Sequence, residues 1–358
     1  MKINTDSYVP VLRWKGAEKM ALQRLTADVR SSVVPIIEFV PQDFAADVKE
    51  GSLRKLAKNL INSCGWNYSF IVDASLLGDG VAASCIAAVC NEAMRYNPAI
   101  GIVTGVNKSA RYQEEVSSIL SRSPADLVLR VSSVEFRQAG ITAIIDEVLA
   151  RLATHRDTTH LLLDFGYIDS SGMDYIPWLR NLPTLTDWRS VTVLAGTFPK
   201  DLGQLAANEE HLLERGEWPS WCELANAVSV PVAFGDYTIQ HPYFRDNEGK
   251  GFNFSASIRY TVPGGYLVFR GEGVRNDGSP GYQQYLAEAQ LLSERPEFCG
   301  GPFSWGDGFI SEKSHERVKT GGPKEWLSAG INHHITFTVR EIQRQLGVPA
   351  PVRDVSHN

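Results

Sequence analysis

Short runs of β-branched and aliphatic residues alternate, from the N-terminus to residue 238, with stretches in which apolar residues recur every three or four positions. The first pattern predicts strands and the second predicts amphipathic helices. The eight predicted strands are 8–14, 33–40, 69–75, 99–104, 126–131, 160–166, 191–197 and 230–237. The predicted helices between them are 17–29, 53–61, 81–94, 109–120, 139–152 and 202–213.

The strand segments are almost continuously apolar, which is typical of a parallel sheet covered on both faces. Each carries one polar side chain near its C-terminal end: Arg13 or Lys15, Glu38, Asp73, Thr104, Arg130, Asp164, Thr197 and Asp236. From position 13 to position 236 the seven intervals average about 32 residues, the repeat of an eightfold barrel. An open doubly wound sheet would gather such residues at one switch point. We therefore predict an α/β fold, a (β/α)8 TIM-like barrel.

The residue pattern after position 238 predicts a C-terminal extension made of a β-hairpin, a loop and a helix. SIRYTV, a Pro-Gly-Gly turn and YLVF indicate a hairpin over 256–270. A helix over 280–294, begun by Ser279 and Pro280, is expected to close the barrel as its eighth helix. A last helix is predicted over 332–346. We expect residues 1–300 to form the barrel with the hairpin and closing helix, and 301–358 to pack on it as an extension.

Composition sets limits on the function. The 358 residues are 43% hydrophobic and 21% charged, which is typical of a folded protein. A net charge of −6 disfavours nonspecific coating of nucleic acid. Five cysteines without a CxxC pair, no secretory signal and no apolar run of membrane length lead us to expect a cytoplasmic protein without a membrane span.

The strand-end charges predict a site at the C-terminal mouth, where barrel enzymes hold their catalytic groups. We expect the four carboxylates to be catalytic: Glu38, Asp73, Asp164 and Asp236. Three of them are predicted ligands of Mg²⁺ or Mn²⁺: Asp73, Asp164 and Asp236. Lys15 and Arg130 would bind phosphate. The combination favours metal-assisted hydrolysis of a phosphoester in a nucleotide or at a nucleic-acid end.

Two alternatives stay open at the mouth. The charges could pair with one another and simply close the barrel top. Carboxylate pairs also serve glycoside hydrolysis, but the usual pair on strands four and seven is replaced by Thr104 and Thr197. The sequence has no GxGxxG, Walker A, HExxH, GxSxG or EF-hand spacing, which removes the usual support for those functions.

The C-terminal third adds further candidates that we expect to fold over the mouth. The ligand-binding candidates are Tyr237, Arg259, Arg270, Trp305 and Asp307. His333 and His334 follow Asn332 in what is predicted to be the first turn of the last helix, where a neutral imidazole could act as acid or base. The alternatives are that Trp305 anchors a long connection and that the histidines only pack or cap.

Several segments in order resemble one family. They are YVPVLRWKGAE with VVPIIEF, GDY at 235–237, Arg259-Tyr260, SWGD at 304–307 and WLSAGINHHI at 326–335. Over essentially the whole chain they are similar to the beta family protein (protein beta) group of phages and bacteria. The resemblance implies a setting among prophages, mobile elements and antiviral defence neighbourhoods. It also supports a second hypothesis, a non-catalytic interaction module with a protein partner from a phage or defence operon.

Overall fold

Eight parallel strands close into a barrel. The computed structural model describes residues 1–41, 50–65, 67–96, 99–179, 185–244, 253–315 and 319–347. The first seven barrel strands are β1 (Tyr8–Arg13), β2 (Ile36–Glu38), β3 (Phe70–Asp73), β4 (Ile100–Thr104), β5 (Asp126–Ser132), β6 (Thr159–Tyr167) and β7 (Ser190–Gly196). After a strand outside the barrel, β8 (Glu209–Glu214), the eighth barrel strand β9 (Val232–Asp236) pairs with both β7 and β1. The predicted eight strands and their closure are confirmed.

The barrel strands bury two separate faces. Alternate residues such as Val11, Ile71 and Leu194 form a core inside the barrel. The residues between them, such as Leu12 and Val72, join the larger core under the helices. Because side chains alternate along a strand, this parity decides which strand-end residue points into the mouth and which points outward.

Helices cover the outside of the barrel. They are α1 (Gly16–Gln23), α2 (Ala27–Arg30), α3 (Glu50–Cys64), α4 (Asp79–Ala93), α5 (Ala110–Leu120), α6 (Ile141–Arg151), α7 (Ile176–Leu179) and α8 (Glu217–Ala227). The predicted helix over 202–213 is wrong, because β8 occupies its second half. In β8, His211 and Leu213 are half-buried between exposed neighbours, which is the period of a strand.

A three-stranded antiparallel sheet follows the barrel, in the order β10 (Ser255–Val262), β11 (Gly265–Gly273), β8. The predicted hairpin is confirmed as β10 and β11. Its turn passes through Gly264, whose φ of 72° lies in the left-handed region that glycine adopts without strain. The sheet is covered by α9 (Gln284–Ser293) and α10 (Trp305–Lys313).

The last helix, α11 (Pro323–Gln345), takes the place that we predicted for 280–294. Tyr285 and Leu292 of α9 pack with the hairpin, whereas Ile335 and Val339 of α11 belong to the main barrel core and α11 packs along α1. The expectation that 280–294 closes the barrel is therefore corrected. The division at residue 300 stays a prediction, and 348–358 lie outside the described residues. Within the described ranges, no helix combines the length and apolar character that crossing a membrane requires.

Candidate binding site at the barrel mouth

Arg130, at the C-terminal end of β5, is the centre of the mouth. Its Nη1 lies 2.5 Å from Asp73 and 3.3 Å from Glu38. Its Nε and Nη2 donate to Asp164 Oδ2 at 2.9 and 2.7 Å, and Nη2 also donates to the hydroxyl of Tyr237 at 2.9 Å. Tyr237 in turn donates to Asp164 Oδ1 at 2.8 Å. All five guanidinium N–H groups are therefore occupied by the protein itself.

The charges of this cluster depend on one another. Burial opposes the charge of Arg130, but Asp164 and its other partners raise the pKa well above its usual value. Burial alone would raise the pKa of Asp73, but Arg130 and Ser75 hold it below its usual range. Burial raises the pKa of Glu38, and Arg130 offsets this only in part. Glu38 is consequently the carboxyl of this set that protonates more readily than in water.

Arg13 joins the mouth to the segment that follows β9. Its Nη2 donates to the carbonyls of His241 and Pro242 at 2.8 and 2.9 Å, and its Nε lies 3.6 Å from Glu38. The predicted ligand-binding residue Lys15 lies at the same rim, with its ammonium 5.3 Å from the ring centroid of Phe244. These contacts hold residues 240–244 across one side of the mouth.

A cavity of about 250 Å³ opens beside Arg130 between the ends of β3, β4 and β5. Its lining residues are Ser75, Thr104, Gly105, Asn107, Lys108, Arg130, Ser132 and Glu135. The Thr104 side chain is fully buried, and its hydroxyl has no hydrogen-bond partner among the described residues. Glu135 is already engaged, because it accepts hydrogen bonds from Ser132 and Asn107. Lys108 lies directly before Ser109, which caps the N-terminus of α5.

Asp236 does not join the other three carboxylates, so the predicted ring and the predicted metal set are corrected. It has the parity of Phe234, which faces the helices, and its neighbour Tyr237 points into the barrel instead. Asp236 accepts hydrogen bonds from Tyr8 at 2.5 Å, from the Thr238 N–H at 2.9 Å and from His334 at 3.0 Å. Burial opposes its charge, but His334 and its other donors lower the pKa of Asp236 to about 2.

His333 and His334 lie in the middle of α11, not in a first turn, because the helix already begins at Pro323. The positive end of the helix dipole therefore does not act on either imidazole. Each histidine is fully buried in the interface between α11 and β10: His334 Nδ1 lies 2.8 Å from the hydroxyl of Thr261, and His333 Nε2 lies 2.8 Å from its carbonyl. Burial lowers the pKa of His334.

The predicted loop over 304–307 is the start of α10 and does not fold over the mouth. Ser304 caps the helix by accepting from the N–H of Asp307. The Trp305 ring packs against Phe309 and beneath the guanidinium of Arg24, so it anchors the extension on α1.

The two hairpin arginines also serve packing. Arg259 donates to the carbonyl of Ile239 at 2.9 Å and lies over the ring of Phe198, and burial lowers its pKa to about 10. Arg270 has a long contact of 3.5 Å with the carbonyl of Gly203. Neither lines the cavity.

Sequence reasoning missed the groups that line the cavity, above all Lys108, Ser75 and Ser132. Lys108 stands four residues after the end of β4, just before a helix-capping serine. That position is the available signal, because loops after barrel strands carry functional groups in this architecture.

The class of protein is an eight-stranded parallel barrel with a buried ionic cluster at its C-terminal mouth and an added antiparallel sheet. Residues 8–340 match the family model described as Beta protein, so the chain belongs to this family, as the sequence predicted. No curated protein matches the chain.

Fourteen chains of solved structures match. One is from a crystal structure of a Coccidioides immitis protein assigned to the dihydrodipicolinate synthase family. Its sequence is 9% identical to this chain, and its TM-score is 0.33. The match covers 66% of this chain and 68% of that chain. The barrel assignment rests on the strand pairing observed in this chain.

Proposed function

We propose that the protein binds a phosphate-bearing ligand, a nucleotide or a nucleic-acid end, in the cavity between β3, β4 and β5. The observation that carries the proposal is a cavity beside Arg130 that Lys108, Ser75 and Ser132 line together. The Thr104 side chain has the parity of Ile102, which faces the helices, so its hydroxyl is not assigned to the ligand.

The other lining groups suit the same ligand. Ser75 and Ser132 add hydroxyl groups, and the N-terminal end of α5 beyond Lys108 favours negative charge. Arg130 offers no free N–H fork and no net positive potential, because its carboxylate partners use its donors and offset its charge. Lys108 is therefore the cation that we assign to the phosphate.

Hydrolysis is the finer part of the proposal, and it needs a metal. Asp73 and Asp164 fit Mg²⁺ or Mn²⁺ by chemistry, but both accept from Arg130, which occupies the position between them, and Asp236 is elsewhere. A divalent ion at the mouth would have to displace the guanidinium. We therefore propose binding as the primary function, and metal-assisted phosphoester hydrolysis stays a prediction.

Calorimetric titration of the full chain tests the binding proposal with three probes: inorganic phosphate, a nucleoside 5′-monophosphate and the same nucleoside without phosphate. We expect the two phosphate compounds to bind and the nucleoside not to. Lys108→Met should weaken binding at least about tenfold, which corresponds to 1.4 kcal/mol. The matched control is Lys58→Met, at an exposed position of α3, which should bind as the wild type does. Equal affinities of the two variants, or no binding by the wild type, would refute the proposal.

Mn²⁺ titration and phosphate release from a chromogenic phosphoester test hydrolysis separately. A hydrolase should bind Mn²⁺ at the mouth and lose this binding in Asp164→Asn. If phosphate binds but Mn²⁺ does not, the result supports the ligand site and refutes the hydrolase prediction.

A second candidate function, a protein-interaction module, is favoured by exposed aromatic side chains at the rim. Tyr167 at the end of β6 and Tyr243 are 42% and 61% exposed, with His241 packed between them. Co-purification from the native host should yield a stoichiometric partner that Tyr243→Ser loses. Tyr282→Ser, at a tyrosine that is 44% exposed and does not pack with this rim group, is the control. Retention of the partner by Tyr243→Ser would contradict this role for the rim.

A further inference from the structure

Three potential metal ligands meet on the side of α10, outside the mouth site. Cys299 in the segment before α10, Asp307 in the first turn of α10 and His333 in the middle of α11 offer one ligand atom each, and these atoms lie within 4.8 Å of one another. His333 Nδ1 and Asp307 Oδ2 are 2.9 Å apart. Zn²⁺ bonds of about 2.0–2.3 Å place tetrahedral ligand atoms about 3.2–3.8 Å apart, so shifts of less than about 1 Å would suffice.

The imidazole of His333 is held in one orientation by its neighbours, as ligating histidines are in metal sites. Its Nε2 lies 2.8 Å from the backbone carbonyl of Thr261, to which an Nε2–H donates. That bond leaves Nδ1 directed at Asp307, and the ring of Tyr260 stacks on the imidazole with centroids 3.7 Å apart. A backbone carbonyl that accepts from the other ring nitrogen sets the tautomer of a ligating histidine.

The carboxylate is held in the same manner. Tyr260 donates to Asp307 Oδ1 at 2.7 Å, and Ser304 donates to Oδ2 at 2.5 Å. These two hydroxyl groups set the orientation of the Asp307 carboxylate before any ion arrives.

A nucleophilic thiol is the other chemistry that these residue types could serve, and the geometry argues against it. In a Cys-His-Asp hydrolase the thiol and the carboxylate use opposite ring nitrogens. Here Asp307 lies at Nδ1, and Nε2 of His333 is used by the carbonyl of Thr261. The thiol of Cys299 has only the Nδ1 side left, where a shared ion would lie.

We propose that Cys299, Asp307 and His333 bind Zn²⁺ and thereby link three segments of the C-terminal region. One nitrogen, one sulfur and one carboxylate oxygen form a ligand set that Zn²⁺ accepts, with water as the fourth ligand. Because Cys299 is exposed, an ion can enter from solvent. Binding replaces the thiol proton of Cys299, which is released to the solvent.

Co²⁺ substitution tests the site in the full chain, purified without a histidine tag and dialysed against a chelator. We expect one equivalent of Co²⁺ to give a thiolate-to-metal charge-transfer band together with the visible bands of a tetrahedral site. Competition by Zn²⁺ should remove both. Cys299→Ala should abolish the charge-transfer band and weaken Zn²⁺ binding by about 100-fold or more.

The control is Cys222→Ala, at a half-exposed thiol on α8, which should leave the spectrum unchanged. Thermal unfolding verifies that both variants fold, which we expect because neither thiol is fully buried. Asp307→Asn is the second ligand variant and should also lose Co²⁺. A wild type that takes up no Co²⁺, or a charge-transfer band that persists in Cys299→Ala, would overturn the proposal. Neither result bears on Lys108 and the mouth cavity.

Discussion

His334 on α11 and Asp236 at the end of β9 lie 3.0 Å apart, both fully buried. The same carboxylate lies 3.4 Å from the guanidinium of Arg215, which also contacts Glu341 of α11 at 2.5 Å and Glu217 of α8 at 3.4 Å. Barrel strand, α8 and α11 therefore meet in one buried ionic network. Such a network requires every partner, because a buried charge left alone costs far more than an exposed one.

Asp236→Asn should lower the free energy of unfolding, and it should also reduce how much this free energy falls in acid. The folded pKa of about 2 lies below the ordinary 3.8, so Asp236 stabilises the fold above about pH 4, and this contribution is lost as the pH falls to 2. The loss amounts to about 2 kcal/mol. Urea unfolding of the wild type and of Asp236→Asn should therefore differ more at pH 5 than at pH 2. Asp277→Asn, at an exposed position, is the control, and a difference that does not change with pH would contradict the assignment.

The sequence predicted the strands correctly but placed Asp236 in the mouth. The apolar runs are long enough to mark each strand, and their spacing identifies the barrel. The last polar residue of an apolar run, however, can point either into the barrel or toward the helices, depending on its parity along the strand. Glu38 has the parity of the inward Ile36, whereas Asp236 has that of the outward Phe234. Counting alternate positions from an apolar residue known to lie inside the barrel distinguishes Glu38 from Asp236. That reference residue is known only once the register of the strands is known.

The position of the histidines could have been predicted better. The sequence predicts a helix cap at Asn332, but Pro323 at the first helical position and Glu325, which accepts from the Gly322 N–H, mark the observed start of α11. The cavity is different. Lys108 has a positional signal in the loop after β4. Nothing in the local pattern distinguishes Ser75 or Ser132, because the cavity arises only when three strand ends are brought together.

Arg130→Met should destabilise the protein strongly, because it leaves Glu38, Asp73 and Asp164 next to one another without a cation. Removing one partner from a buried ionic cluster costs about 3–5 kcal/mol. Burial already raises the pKa of Glu38, and without the cation this carboxyl takes up a proton more readily, so the deficit should be smaller at pH 5 than at pH 8. Urea unfolding at both pH values measures it. Arg122→Met, at an exposed arginine, should be nearly neutral at both.

Thr104→Val tests which face of β4 contributes to the site. The Thr104 hydroxyl has no partner among the described residues, and the side chain has the parity of Ile102, which faces the helices. Its replacement by a methyl group should therefore leave the melting temperature unchanged or raise it, and phosphate affinity should stay that of the wild type. Calorimetry and thermal unfolding of the same preparation provide both measurements. A loss of phosphate affinity of about tenfold would contradict this orientation of Thr104.

Glu288 should make the stability fall with rising pH. Its carboxylate is buried under the hairpin, only 8% exposed, and the backbone groups of Ile258 and Gly271 beside it offset this burial only in part. Burial raises its pKa from 4.5 to about 8. The protonated form therefore stabilises the fold below about pH 4.5, and this contribution is lost as the pH rises through 8, with an upper limit of about 4–5 kcal/mol. Urea unfolding should show that Glu288→Gln loses less stability between pH 5 and pH 8 than the wild type does, whereas a variant that keeps the wild-type slope would refute this.

Gly306→Ala tests the contact that places Asp307 beside His333. A methyl group at Gly306 would lie 2.1 Å from the backbone carbonyl of Ala329 on α11, so α10 must move away from that helix. Overpacking of this kind costs about 1–3 kcal/mol. The displacement would also separate the ligands of the proposed Zn²⁺ site, so Co²⁺ binding should weaken together with the melting temperature. Gly80→Ala in α4 meets nothing within 4 Å and should stabilise the helix by up to about 1 kcal/mol without changing Co²⁺ binding. If Gly306→Ala is as stable as the wild type, α10 does not pack on α11 as closely as described.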